Sequence, residues 1–160
     1  MRYAFLFLFL TFCCQNFAQN KTLKTRDSLR SLSRNNNLNF ETRQNYAQKA
    51  LGLSELLKID SLIVQDLRNL SFIHLNSGRY SKSRKYSNRA LNLARKIGDT
   101  SSLASAHHNL ANSYYANFQN DSAYYYFSKT LELYSAMQNK ELIAQTLVSI
   151  ADIQDTEQDF

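Results

Sequence analysis

The stretch from His107 to Phe127, with the sequence HHNLANSYYANFQNDSAYYYF, decides the fold of this 160-residue chain. Apolar and aromatic residues recur three and four positions apart on both sides of a short polar segment, 117–121 (NFQND). Such spacing gives an α-helix one apolar face, and Asn and Asp favour turns and helix N-termini. The stretch therefore predicts two helices joined by a tight turn, with Asp121 capping the second helix.

The two-helix pattern recurs along the chain with a period of 40 residues. The matched positions include Tyr46, Tyr86 and Tyr126; Leu51, Leu91 and Leu131; Leu53, Leu93 and Leu133; and Leu70, Leu110 and Ile150. Periods of 20 to 50 residues indicate stacked structural units. The chain has no Pro and three Gly, which favours long helices with short connections. We predict an all-α repeat protein with helices at about 22–34, 41–58, 61–76, 80–97, 101–117, 121–138 and 141–156. Gly98 is expected to end the fourth of them in the left-handed conformation.

The repeated residues resemble the tetratricopeptide repeat family. The fullest copy is His107-x-x-Leu110-Ala111-x-x-Tyr114 followed by Ala123-x-x-x-Phe127, in which His107 stands where the family has Trp. A weaker copy begins at Leu67, and Leu147 opens a copy that the chain does not finish. The resemblance implies a helix-turn-helix solenoid, a right-handed superhelix of about three and a half repeats.

The resemblance also implies the domain organisation. It gives a divergent helical repeat at 19–60, repeats at 61–100 and 101–140, and an incomplete repeat or cap at 141–160. The 40-residue period resembles the repeat regions of exported bacterial sensor and regulator proteins. Because 40 exceeds the family's usual period of about 34, a HEAT-like array is the alternative fold.

Residues 1–18 have the pattern of a signal peptide. Arg2 precedes an uncharged run, 4–14 (AFLFLFLTFCC), that is too short to span a bilayer as a helix, and Ala18 supplies a small residue for cleavage. The chain's two cysteines, Cys13 and Cys14, lie in this segment, so a disulfide scaffold, a Cys zinc site and a thiol catalyst in the body are excluded. We predict export to the periplasm or the cell exterior; the alternative is a membrane anchor formed by an uncleaved or lipidated segment.

No group of residues predicts catalysis, a cofactor or a metal site. His107 and His108 are adjacent and diverge by about 100° on a helix, so they cannot chelate one ion together. His74 and His107 occupy packing positions of the repeat, and Tyr126 is interpreted as packing between repeats. The chain has no Gly-rich phosphate loop and no Ser/His/Asp arrangement of known order. We therefore predict a protein that is not an enzyme.

Charge is divided unevenly between the halves of the chain. Residues 21–96 hold 16 basic and 5 acidic residues, whereas residues 97–160 hold 2 basic and 8 acidic ones. A basic patch on the predicted fourth helix comprises Arg79, Lys82, Arg84, Lys85 and Arg89. We interpret it as a solvated outer face; the alternatives are a surface for an acidic partner and contact with the acidic half of a second copy. Nucleic acid is not expected, because basicity is the only nucleic-acid signal.

The resemblance implies a partner-binding surface as well. In tetratricopeptide-like stacks the first helix of each pair lines a concave groove that holds a peptide or a partner protein. Seven residues are thereby assigned to the groove: Arg68, Phe72, Leu75, Asn76, His108, Asn112 and Tyr115. The predicted function is a non-catalytic, exported protein-interaction module. The alternative is the N-terminal sensory region of a truncated bacterial signal-transduction protein, a histidine kinase or a transcriptional regulator.

Overall fold

The computed structural model describes the backbone of residues 2–158 and the side chains of residues 16–155. This part of the chain contains seven α-helices and no strand. The helices are α1 (Arg2–Ser33), α2 (Phe40–Leu57), α3 (Asp60–Leu75), α4 (Tyr80–Ile97), α5 (Thr100–Tyr115), α6 (Asn120–Ala136) and α7 (Lys140–Gln158). The all-α repeat fold predicted from the 40-residue period is confirmed.

The first helix differs from its prediction. It begins at Arg2, whereas the sequence predicts a start near residue 22. Residues 2–33 contain neither Gly nor Pro, so nothing in the local sequence interrupts the backbone hydrogen bonds between the apolar run and the rest of α1. Within the described residues, none of the helices has both the length and the apolar composition needed to cross a membrane.

The chain divides into two compact units, one of residues 1–59 and one of residues 60–160. In the first unit α1 packs against α2. Arg26, 1% exposed, donates from Nε to Ser54 Oγ at 3.1 Å, and Arg43 donates from Nε to the Ser33 carbonyl at 3.0 Å. The two long cationic side chains thus join α1 to α2 through hydrogen bonds, and both stand where the first complete repeat has a shorter buried polar residue, Asp66 or Ser83.

The second unit contains two complete repeats and one further helix. Helices α3 and α4 form the first repeat, α5 and α6 form the second, and α7 packs against α6. In the first repeat the contact between the two helices contains three buried hydroxyls, which we call the serine seam: Ser71, Ser83 and Ser87. Forty residues later the same positions carry Ala111, Ala123 and Phe127, which we call the apolar seam. Ile153 of α7 joins the apolar seam in one core cluster.

The turns between helices follow a regular scheme. Asn39, Asp99 and Asn139 each accept a hydrogen bond on the side chain from the backbone N–H three residues later, which caps the helix that follows. Gly98 adopts φ 69° and ends α4 as predicted. The prediction that Asp121 caps the second helix of this repeat is wrong, because α6 begins at Asn120 after Gln119. Asp121 lies instead in the first helical turn, where its negative charge is stabilised by the positive end of the helix dipole.

Candidate partner-binding site

The residues assigned to the groove lie on α3 and α5, the first helices of the two complete repeats. These helices contact each other, and residues 40 apart occupy equivalent positions on them. Arg68 is therefore equivalent to His108, Phe72 to Asn112, and Leu75 to Tyr115. Asn76 follows the last residue of α3 and is exposed. The assigned residues thus form matching rows on two helices in contact.

On α3 the most accessible apolar side chain is Phe72. Its ring is 47% exposed, although the residues on either side of it, Ser71 and Ile73, are buried. Arg68 lies one turn before Phe72, and its Nη1 donates to Ser102 Oγ on α5 at 3.2 Å. The amide of Asn109 also reaches the Arg68 carbonyl at 3.5 Å. The first contact holds the guanidinium at the N-terminal end of α5, where hydrogen bonds from Ser102, and then the guanidinium charge, help to lower the pKa of Asp99.

On α5 the assigned residues are more involved in internal packing. The His108 ring meets Phe127 edge to face, with 5.6 Å between ring centroids, and burial lowers the pKa of His108. The neutral ring accepts at Nδ1 from the Asn112 amide at 3.1 Å. Tyr115 packs partly against the core cluster. His108 and Tyr115 are therefore half-buried supports, whereas Phe72 is the most open apolar contact among the assigned residues.

The other two histidines lie in packing positions, as predicted. His74 is 1% exposed and stacks on Tyr86 with 5.3 Å between ring centroids. Burial, and then the charges of Lys82 and Arg79, lower the pKa of His74 to about 4. His107 is half-buried against Tyr126, at 5.8 Å between centroids, and burial lowers its pKa as well. Both rings are neutral near pH 7, as packing requires.

The interpretation of Tyr126 as packing between repeats is corrected by its ring contacts. Tyr126 of α6 stacks on Tyr114 of α5, in the same repeat, with 5.3 Å between centroids and 4° between ring planes. Tyr86 makes the matching contact within the preceding repeat. In both complete repeats, the repeated tyrosine therefore joins the two helices of one repeat.

The basic patch on α4 is less uniform than its sequence. Arg79, Lys82, Lys85 and Arg89 are exposed. Arg84 instead turns toward the next repeat, where its Nη1 donates to the Ser113 carbonyl at 3.3 Å and its guanidinium lies 4.9 Å from the Tyr114 ring centroid. The sequence analysis missed this contact between repeats, because a cation within a basic run gives no signal of its own orientation.

Among the residues whose side chains are described, no group of three or more His, Cys, Asp and Glu could hold a metal ion. The described surface of α3 and α5 offers one exposed aromatic ring, an anchored guanidinium and several amides. These groups can pack against an apolar side chain and hydrogen-bond the backbone of a bound segment. The described architecture defines an all-α helical repeat protein.

Comparison with known proteins identifies the repeats. The model of the tetratricopeptide repeat family matches residues 64–136. This range covers all but the first residues of the two complete repeats in the second unit. The resemblance to the tetratricopeptide repeat family is thereby confirmed over residues 64–136, and the HEAT-like alternative is not supported. No curated protein sequence matches the chain.

Three solved structures share the fold at low sequence identity. BtubC (BKLC) from P. vanneervenii has a TM-score of 0.67 and 17% identity over 76% of this chain and 51% of its own. A Rap protein complexed with Competence and Sporulation Factor has a TM-score of 0.70 and 17% identity, covering 89% of this chain and 38% of its own. The apo form of RapI has a TM-score of 0.72 and 15% identity, covering 89% and 50%. The chain thus spans about half, or less, of the structures that it resembles.

Proposed function

We propose that this chain is a non-catalytic protein-interaction module that holds a peptide or a segment of a partner protein against α3 and α5. The observation that carries the proposal is Phe72, an aromatic residue that is 47% exposed in the last turn of α3, the first helix of a complete repeat. Aromatic side chains are enriched among the residues that dominate binding energy at protein interfaces. The structural relative that is complexed with a factor supports the same use of the fold.

The geometry suits an extended or helical segment with mixed chemistry. Phe72 and Leu75 supply apolar area, and Asn76 and Asn112 supply amide hydrogen bonds. The Arg68 guanidinium, held at 3.2 Å from Ser102 Oγ, is pre-positioned for a ligand carboxylate. Because the side chains that surround the phenyl ring are already packed, binding requires little additional ordering of the surface.

The proposed place of action is outside the cytoplasm. The apolar run 4–14 and the small Ala18 support cleavage of residues 1–18. Cleavage there leaves the residues of α1 that contact α2, including Arg26, in the mature chain. N-terminal sequencing of the secreted or periplasmic fraction tests this; a chain that keeps Met1 in the cytoplasmic fraction would contradict it. A chain retained in the membrane fraction would support the anchored alternative.

The second candidate function is the sensory region of a larger signalling protein. It is favoured by the lengths of the structural relatives, of which this chain covers 51%, 38% and 50%. Sequencing the coding region beyond codon 160 separates the two functions. Further repeats followed by an apolar segment of about 20 residues would support the sensor, and a reproducible stop codon would support the interaction module.

Replacing Phe72 with Ala tests the binding surface. Partners from the envelope fraction of the source cells are captured on the immobilised chain and quantified by mass spectrometry. The matched control is Tyr125→Ala, because Tyr125 is 56% exposed but lies on α6, the second helix of its repeat. We expect Phe72→Ala to lose the proteins that the wild type and Tyr125→Ala retain, with unchanged thermal unfolding. Equal recovery by both variants would remove the assignment to α3 and α5.

A further inference from the structure

One face of α7 is apolar and exposed. Leu147 is 48% exposed and Val148 is 61% exposed, and Ala144 and Ala151 lie exposed on the same side of the helix. The opposite side is buried and includes Ile153, which joins the core cluster with residues of α5 and α6. Helix α7 therefore has apolar residues on both sides. A helix with one side in water normally has a single apolar side.

Register shows what this face corresponds to. In α3 and α5 the positions equivalent to 144, 147, 148 and 151 are all buried or half-buried: Val64, Leu67, Arg68 and Ser71, and Ala104, His107, His108 and Ala111. The second helix of each repeat supplies the cover, since Ala111 shares the core cluster with Ala123 and Phe127 of α6. Ala151 thus corresponds to the positions on which the second helix docks in both complete repeats, Ser71 and Ala111, whereas Val148 corresponds to Arg68 and His108 of the partner-binding surface.

The sequence of α7 is complementary to itself when two copies run antiparallel. If the crossing is centred between residues 147 and 148, Leu147 of each copy faces Val148 of the other. Ala144 then faces Ala151, and Lys140 faces Asp155. The two alanines are seven residues apart, as are Ala123 and Thr130, two small buried residues of α6. One α7 can therefore present to the other the pattern of small residues that a second helix presents in a complete repeat.

We propose that a second copy of this chain covers the face, with α7 packed antiparallel against α7 around a two-fold axis. This interface is isologous and closed, so it gives a dimer and not a filament. Its centre is apolar, formed by Leu147 and Val148 of both copies, and its two ends carry a Lys140–Asp155 ion pair. The residues of this interface lie on α7 and not on α3 or α5, and the dimer does not depend on the proposed binding of a partner there.

Sedimentation equilibrium of the full chain tests the dimer. We expect Leu147→Glu combined with Val148→Glu to raise the dimer dissociation constant by about tenfold or more, since it places four carboxylates at the crossing. The matched control is Leu56→Glu, because Leu56 is 71% exposed on α2 in the other unit and its replacement should leave the constant unchanged. A wild-type chain that stays monomeric overturns the proposal, and so does a dimer that survives the double replacement. A dimer lost in high salt but kept by the double variant would assign association to the basic and acidic halves instead.

Disulfide trapping tests the antiparallel register. Cys13 and Cys14 are first replaced by Ser, and two differently tagged chains then carry Ala144→Cys and Ala151→Cys. Residues 144 and 151 face each other in the proposed dimer, whereas two copies of residue 144 are about 10 Å apart along the axis, beyond the reach of a disulfide. We expect the mixture to form a disulfide-linked heterodimer and each variant alone to remain unlinked. Efficient linking of Ala144→Cys alone would mean a parallel pairing and would overturn the register.

Discussion

The two complete repeats of the second unit have the same register but opposite chemistry where their helices meet. The serine seam joins α3 and α4 through hydroxyls, with 3.1 Å between Ser71 Oγ and Ser83 Oγ and 2.5 Å between Ser71 Oγ and Ser87 Oγ. The apolar seam joins α5 and α6 through two alanines and a fully buried Phe127. All six side chains are inaccessible to solvent. The two seams are therefore equally buried, but the serine seam is polar and the apolar seam is not.

The aromatic contact beside each seam is shared. His74 stacks on Tyr86 and Tyr114 stacks on Tyr126, both with 5.3 Å between ring centroids and with 15° and 4° between the planes. An imidazole and a phenol are thus interchangeable here as flat rings. The comparison shows that the repeat requires a small residue at the crossing and a stacked ring pair, and that it accepts hydroxyls or methyl groups as the filling.

The largest expected difference between the seams is at their third position. Phe127→Ala removes a fully buried ring and should lower the free energy of unfolding by about 3–5 kcal/mol. Ser87→Ala at the equivalent position removes one oxygen and should cost about 1 kcal/mol. Urea unfolding followed by circular dichroism measures both. Equal losses in the two variants would mean that the seams do not contribute to stability as their burial indicates.

Residue spacing predicted much of this architecture. Helices α2 to α7 lie within a few residues of their predicted bounds, because the apolar stripes repeat at the helical period over 16 or more residues. The turns were less visible. Lys58, Phe118 and Gln138 adopt φ between 54° and 56°, in the left-handed region that Gly98 occupies at φ 69°. Glycine at the end of a helix predicts this conformation from sequence, whereas Lys, Phe and Gln do not, so the left-handed turns at Lys58, Phe118 and Gln138 were not predicted.

The candidate site was less predictable than the fold. Sequence register assigned Phe72 and His108 to equivalent rows of one surface, but it could not separate the exposed phenyl ring from the half-buried imidazole. That distinction depends on the ring of Phe127, which approaches His108 from another helix. The orientation of Arg84 depends likewise on Tyr114 in the next repeat. Contacts between helices, unlike periodicity within one helix, are not encoded at a fixed spacing.

An intermediate effect is expected from pH, because only one of the two ring stacks can take up a proton in the acidic range. The pKa of His74 falls to about 4 in the folded chain, below its ordinary value of 6.5. A base whose pKa is lowered by folding contributes no penalty above pH 6.5, and stability is lost as the pH falls from there toward 4. The loss between about pH 7 and about pH 5 should be on the order of 2 kcal/mol.

Replacing His74 with Tyr, the residue of the other stack, isolates this effect. We expect His74→Tyr to unfold with a smaller difference in free energy between pH 7 and pH 5 than the wild type, measured by urea titration at each pH. His107 and His108 also have lowered pKa values, but they are present in both proteins and cancel in the comparison. An identical pH dependence in the two proteins would show that the buried imidazole is not protonated during unfolding in this range.

The smallest effect distinguishes hydroxyl bonding from close packing in the serine seam. Ser71→Ala removes the oxygen that both neighbouring hydroxyls contact, and it should cost about 1 kcal/mol, because Ser83 and Ser87 keep buried polar groups. Replacing all three serines with Ala removes the polar groups together and approaches the alanines of the apolar seam. Since Ala also has the higher helix propensity, the triple variant should be no less stable than Ser71→Ala alone. Urea unfolding of the single and triple variants measures this. A loss in the triple variant equal to the sum of the three single losses would mean that the hydroxyls contribute independent net hydrogen bonds, and that the two seams are not equivalent fillings of one crossing.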